Sequence, residues 1–182
     1  MTMRILAVSG SSRHDSFNSR LLQAAANCID ENAEVQQAPA LASLPHFNED
    51  EEPAMLQSAS VRAWIDAVTS SDALMIATPE YNQSIPGMLK NALDWLSRTP
   101  QTRQLEGKPV ALMGATVGPW GTRLAQAHLR HVLGVIGMQV VGRPLYLAHA
   151  GSRHDADSGQ WDAPLQAQVA QWSADLLTAI AR

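Results

Sequence analysis

A single cysteine, Cys28, stands among 182 residues, so no internal disulfide framework can hold the chain together. Cys28 falls within the first helical pattern and is expected to be a small buried side chain rather than a reactive thiol. Charge is also sparse: Asp, Glu, Lys and Arg make up 16% of the residues, with a formal net charge of −4. Without a clustered Lys/Arg face, a general nucleic-acid partner is not expected. No apolar run approaches the ~20 residues of a membrane span, so no membrane partner is expected either. The first residues run directly into a strand pattern, without the basic segment and small-residue cleavage site of a secretory leader, and a cytoplasmic location is the expectation. Two nucleotide signatures are missing. Gly10 stands alone, so G-x-G-x-x-G fails, and no Gly-Lys-Ser/Thr is present to bring a lysine and Mg²⁺ to a transferable phosphate. No Ser-His-Asp or Cys-His set offers itself for nucleophilic catalysis. His128 and His131 lie one helical turn apart without carboxylate or cysteine support, and read as surface or packing residues rather than metal ligands. The acidic run 49–52 reads as a solvated loop and helix start, so no metal site is expected.

What the chain does contain is an alternation of strand-like and helix-like segments. That pattern points to a parallel sheet covered on both faces, and the length suits one domain spanning 1–182. Ile5-Leu6-Ala7-Val8 is a buried strand by its apolar run, and Leu21, Leu22, Ala25, Ala26 and Ile29 form a helical stripe after it. A weak second strand is expected near 34–37, then a long loop over 41–53, then a helix carrying Val61, Trp64, Ile65 and Val68. Ala73-Leu74-Met75-Ile76-Ala77 reads as the central strand, residues 84–98 as the next helix with Pro86 in its first turn, and 109–113 as the fourth strand. Ala125, Leu129, Val132, Leu133 and Ile136 mark another helix. A last strand around 138–141, extended toward Leu147, and a closing amphipathic helix carrying Leu165, Val169, Trp172, Leu176 and Ile180 complete the pattern.

Between the first strand and first helix runs Gly10-Ser11-Ser12-Arg13-His14-Asp15-Ser16-Phe17-Asn18. The first amides of a helix lack partners inside it and carry the positive end of its dipole. Around them stand the Ser11, Ser12 and Ser16 hydroxyls, the Arg13 guanidinium and the Asn18 amide, all able to donate to phosphate oxygens. Asn18 is the expected N-cap, with Phe17 and Leu22 placed for a hydrophobic staple. A hydroxyl-lined cradle suits a phosphate that is held and not transferred; a plain polar strand-to-helix turn would use the same residues. The near-repeat Gly151-Ser152-Arg153-His154-Asp155 leads into no helix and reads as a coincidental surface loop.

In an open parallel sheet, ligands bind beyond the carboxyl ends of the strands, and loops 9–18, 78–84 and 114–121 occupy three such ends. The second contains Pro79-Glu80-Tyr81-Asn82-Gln83-Ser84-Ile85-Pro86-Gly87-Met88-Leu89-Lys90-Asn91-Ala92-Leu93-Asp94-Trp95. Together with the first loop, this run resembles the NADPH-dependent FMN reductase family of the flavodoxin-like superfamily. The likeness extends over most of the chain and fades after about Arg143. It implies a flavodoxin-like three-layer α/β sandwich with a five-stranded parallel sheet in the order 2-1-3-4-5, bound FMN, NADPH or NADH as the electron donor, and a homodimer or tetramer. Carried across, Ser11, Arg13, Ser16 and Asn18 should hold the FMN phosphate with Phe17 beside them. Pro79, Glu80, Tyr81 and Asn82 should border the ring and ribityl chain. In the third loop, Ala115, Thr116 and Gly118 should line the ring edge, although relatives often carry serines and paired glycines there. Trp120 is expected to pack at a helix start, with walling an acceptor pocket as the alternative.

The resemblance implies an FMN-dependent NAD(P)H oxidoreductase of ping-pong type, acting on a quinone, free flavin, azo compound or metal oxyanion. The flavin would supply the chemistry, so no catalytic side chain is expected. The alternative is a flavodoxin-like electron carrier, or a flavin-dependent regulatory or binding module without turnover. For the homodimer, Met88, Asn91 and Trp95 on the helix over 84–98 form a line that a monomer is expected to leave partly exposed, and that line is the expected interface.

Overall fold

The computed structural model describes residues 2–29, 31 and 33–181. Six strands form one sheet: β1 (Met3–Ser9), β2 (Ala33–Gln37), β3 (Ala73–Ala77), β4 (Pro109–Ala115), β5 (Gln139–Val140) and β6 (Leu145–Leu147). Their order is β2-β1-β3-β4-β5, with β6 also on β4, and every ladder among these strands is parallel. This is the flavodoxin-like order that the resemblance implied. The fifth position differs in detail from the single strand expected. Val110 pairs with Leu74 of β3 and with Val140 of β5, while Met113 pairs with Ala77 of β3 and with Leu145 of β6. β5 and β6 therefore share the edge of β4 opposite β3, separated by Gly142 at φ +68°.

Seven helices are described: α1 (Phe17–Ala26), α2 (Glu52–Met55), α3 (Ala59–Ser70), α4 (Gly87–Leu96), α5 (Arg123–Val135), α6 (Ala150–Arg153) and α7 (Ala163–Ile180). The two-residue period of the strands sorts side chains between two cores. Leu6, Val8, Leu74, Ile76 and Leu112 face α3, α4 and α5, packing with Trp64, Leu89, Leu93 and Leu129. Ile5, Ala7, Met75 and Met113 face α1 and α7, packing with Leu21, Leu165, Val169 and Leu176. Burial of both faces explains why the central strand β3 carries no polar residue.

Four local expectations are corrected. The 41–53 stretch is not one loop: 3₁₀ turns form at Leu41–Ser43 and Glu49–Glu51, and α2 starts at Glu52. Asn48 caps the acidic turn through Asp50 N at 3.1 Å, and Arg98 bridges Glu49 and Glu52. α4 spans less than 84–98, because Pro86 sits at its N-cap and Ser84 belongs to the turn before it. Cys28 lies beyond the end of α1 and is exposed. In the Met88–Asn91–Trp95 line, residues 45–47 engage Asn91 and Trp95, while Met88 is half-buried. Trp95 is fully buried, its Nε1 donates to Pro45 O at 2.9 Å, and its ring meets Phe47 edge-on at 5.1 Å. Asn91 is used on both sides, accepting from Phe47 N at 2.8 Å and donating to Pro45 O at 2.9 Å.

Candidate functional site

Three loops meet beyond the carboxyl ends of β1, β3 and β4, tied by backbone bonds before any side chain is considered. Gly10 N donates to Ala77 O at 2.8 Å and Thr78 N to Met113 O at 3.0 Å. Gly10 suits this junction, since a Cβ there would crowd Leu89 Cδ2 at 3.2 Å and Ala77 O at 3.3 Å.

In the first loop the cap of α1 is Ser16, not Asn18. Ser16 has extended backbone and its Oγ accepts from Ser19 N at 3.3 Å. A hydroxyl that accepts one bond keeps its own proton to donate, so Ser16 remains a donor toward the cleft. Asn18 lies inside the first helical turn, 5% exposed, with its amide plugged into β4. Its Nδ2 donates to Ala115 O at 3.0 Å and its Oδ1 accepts from Ala115 N at 2.8 Å. That double bond pins the start of the third loop to the first. The amides of Phe17 and Asn18 find no acceptor among the described residues, and they point the positive end of α1 at the cleft. Arg13 is exposed and has no carboxylate partner among the described residues.

The second loop makes a tight turn. Tyr81 and Ser84 exchange two backbone bonds of 3.0 Å around Asn82 and Gln83, both left-handed at φ 50° and 63°. Asparagine tolerates that conformation, whereas Gln83 bears a cost of roughly 1–2 kcal/mol. The Ser84 hydroxyl meets His128 Nδ1 at 2.7 Å, which anchors the turn to α5. Tyr81 is half exposed at the mouth of the cleft. The carboxylate of Glu80 is occupied elsewhere: Oε2 accepts from Leu124 N and Ala125 N, both at 2.9 Å. It caps α5, where the Thr122 side chain at the N-cap position caps no amide and instead accepts from Gln126 Nε2 at 3.0 Å.

In the third loop Thr116 Oγ1 accepts from Gly118 N at 3.2 Å, and Thr116 N donates to Leu147 O at 2.9 Å. Trp120 does not pack at the start of α5; it is 70% exposed, and Val117 is 68% exposed. The three loops enclose a cleft of about 130 Å³, lined by Ser11, Arg13, Ser16, Phe17, Asn18, Pro79, Glu80, Tyr81, Ala115, Thr116 and Val117. Ten of these eleven belong to the expected set. Asn82, at the tip of its turn, and Gly118, beyond the threonine, do not line it. Val117 was not anticipated, although its place next to Thr116 in a loop at a strand end was a usable signal. A larger groove of about 750 Å³ runs between α4 and α5, where His128 and His131 lie among Lys90, Asp94, Arg103 and Val132. Its charges are mixed and no helix N-terminus opens into it. The smaller cleft, where unpaired amides, hydroxyls and a guanidinium converge, is the better anion site.

The Gly151–Asp155 near-repeat is not an idle surface loop. Its first residues form the short helix α6, and His154 packs against Phe17 of the first loop at 5.8 Å between ring centres. Two carboxylates in this region are held ionised. Asp162 lies below its ordinary pKa, chiefly through the Arg153 guanidinium and then the amide of Leu165, and Asp155 lies below its own through the amides of Ser158 and Asp157.

A family model described as NADPH-dependent FMN reductase matches residues 3–152. The 2-hydroxy-1,4-benzoquinone reductase of Burkholderia sp is 39% identical over 158 residues, covering 86% of this chain and 85% of that protein. The quinone reductase of Escherichia coli (strain K12) is 34% identical over 145 residues, covering 80% and 77%. Among solved structures, the flavoenzyme NAD(P)H:(acceptor) oxidoreductase FerB from Paracoccus denitrificans superposes with a TM-score of 0.87 at 30% identity, covering 98% of this chain and 97% of that one.

Proposed function

From the premise that the chain belongs to the NADPH-dependent FMN reductase family, we propose that the three-loop cleft holds the FMN phosphate and that the enzyme reduces a quinone. It is an oxidoreductase that uses FMN and NAD(P)H. When bound, FMN would supply the redox chemistry between NADPH or NADH and the acceptor, and the residues of the three loops would hold it. One open cleft serving donor and acceptor in turn corresponds to a ping-pong order. A quinone is preferred over a free flavin, azo compound or metal oxyanion because the relatives above carry quinones in their names.

The observation that carries the reading is the donor set. Ser11, Arg13 and the free proton of Ser16 stand with the unpaired amides of Phe17 and Asn18 at the start of α1, and all of them donate. A phosphate monoester, an acceptor on every oxygen, fits such a set. The side chains of Asn18 and Glu80 act here by shaping the cleft, one fixing Ala115 and the other fixing the start of α5 beside Tyr81. The cleft has room for the phosphate and its adjoining chain, which leaves the exposed rim at Tyr81 and Val117 to border the ring. The proposal includes a single domain, a cytoplasmic location and a homodimer or tetramer, and a monomer mass in light scattering would overturn the last of these. No described helix is long and apolar enough to cross a membrane.

Arg13→Ala is the cleanest test, because Ser16 also caps a helix whereas Arg13 is exposed. Losing one charge-assisted bond, worth roughly 1.5–3 kcal/mol, should weaken FMN binding by about one to two decades. Riboflavin, which has no phosphate, should bind as it does to the parent. Equal losses for the two flavins by fluorescence quenching would remove the phosphate from this loop.

A further inference from the structure

Residues 154–161 lie beyond the stretch matched by the family model, yet they are built onto the phosphate loop. His154 and Trp161 face each other across an antiparallel bridge, with Asp155 N donating to Gln160 O at 2.8 Å and Asp162 N to Arg153 O at 2.9 Å. A forked ion pair closes the base: Arg153 Nε and Nη2 donate to Asp162 Oδ2 and Oδ1 at 2.7 and 2.8 Å. The same carboxylate caps α7 through Leu165 N at 2.8 Å. At the tip, Asp155 Oδ1 accepts from the amides of Asp157 and Ser158. A loop braced at base and tip holds whatever it presents in one place, and what it presents is the His154 ring.

That ring meets Trp161 edge-on at 4.7 Å and Phe17 at 5.8 Å. Arg20 Nη1 stands 3.3 Å from His154 Nδ1 and 3.4 Å from Nε2. An atom in the ring plane at those two distances would collide with the carbons of the ring. The guanidinium therefore lies over the ring face, as a cation on a π-system and not as an in-plane hydrogen-bond donor. On its other side Arg20 Nη2 holds Asp15 Oδ1 at 3.2 Å, and its Cζ lies 5.9 Å from the Phe17 ring centre. Asp15 and Phe17 flank Ser16.

We propose that His154 is a positioning residue for the phosphate loop: through Arg20 and Phe17 it fixes the residues on either side of Ser16, and so the spacing of the donors around the phosphate. The inference rests on the reading that this loop takes the FMN phosphate. It also requires an uncharged imidazole, because protonation would set a second cation against Arg20. The charged and titratable groups around His154 are Arg20 on α1, Asp15 through it, Asp155 next along the chain and the Arg153–Asp162 pair at the loop base. His14 stands 3.6 Å from the same Asp15 carboxylate.

The test compares FMN and riboflavin affinities for the parent, His154→Ala, His154→Phe and Arg13→Ala, at about pH 8 and about pH 5.5. His154→Ala is expected to weaken FMN roughly tenfold while riboflavin changes by less than about twofold. His154→Phe keeps a ring under Arg20 and should restore the parent's FMN affinity at the higher pH. It should also lose part of the parent's weakening at the lower pH, while the part that does not come from residue 154 is common to both proteins. Equal losses for the two flavins in His154→Ala, no loss for either, or a full parental pH dependence in His154→Phe would overturn the inference. Arg13→Ala separates this from failure of the phosphate reading. If Arg13→Ala discriminates FMN from riboflavin and His154→Ala does not, only the role of His154 falls; if neither discriminates, both fall.

Discussion

At the residue scale, Gly114 near the end of β4 leaves no room for a side chain. A Cβ there would stand 1.9 Å from Thr122 Oγ1 and 2.6 Å from Thr78 O. The first of these atoms is a side chain that can be removed; the second is backbone and cannot. Gly114→Ala should therefore cost roughly 3 kcal/mol or more, at the upper end of overpacking, and a Thr122→Ala partner should recover only part of it. Urea midpoints of the two variants check this, and full recovery in the double variant would mean that Thr78 O yields. Single residues are also where the sequence was least legible. Trp95 and Cys28 were judged by helical periodicity, which reports where a side chain points on its own helix and nothing about what lies over it. Residues 45–47 close over Trp95, and it is buried within the core. Cys28 lost its place in the stripe because α1 ends at Ala26.

At the element scale, two helices start on carboxylates, α5 on one from outside the usual cap position and α7 on its own N-cap. α5 begins after Thr122 at φ 60°, which offers no side-chain cap, and Glu80 from another loop supplies the acceptor. Glu80→Ala should cost about 1 kcal/mol, the usual worth of a cap. It should raise amide exchange at Leu124 and Ala125 while leaving α1 protected, and unchanged exchange there would deny Glu80 the role. α7 begins at Asp162, which also holds Arg153. The native pKa of Asp162 is depressed chiefly by that guanidinium, so its contribution is present above the ordinary carboxylate pKa and is lost as pH falls through the depressed value. Thermal midpoints should thus fall on acidification below about pH 4, and Asp162→Asn, which keeps a cap acceptor, should flatten that part of the curve. An unaltered acid limb would assign it to other carboxylates. Strands and helices themselves were legible, because a chain buried on both faces of a parallel sheet reads as short apolar runs and a helix on its surface as a stripe. The split of the fifth strand position was not, since the apolar residues on either side of Gly142-Arg143-Pro144 fit one extended strand or two until the Gly142 bend is placed.

At the scale of the whole molecule, the order of the strands came from resemblance, since periodicity marks elements but does not order them. The donor set of the cleft could be read in sequence because it lies within one loop, whereas the contacts that shape it, Asn18 to Ala115 and Glu80 to Leu124, span 97 and 44 residues. The same long-range dependence decides what the family-matched stretch can do alone. Residues 3–152 contain five strand positions and the cleft, but not α7. That helix buries Leu165, Val169, Trp172 and Leu176 against one face of the sheet, donates from Trp172 Nε1 to Arg143 O at 2.9 Å, and from Ser173 Oγ to Ala25 O at 3.1 Å. At roughly 1.5–3 kcal/mol for each buried apolar side chain, these four alone contribute about 6–12 kcal/mol, comparable to the 5–15 kcal/mol that stabilises a typical domain. A fragment of residues 1–152 should therefore bind a hydrophobic dye, show no cooperative thermal transition and fail to retain FMN. A cooperative transition in that fragment would mean that the fold holds with α1 alone on the face that α7 shares.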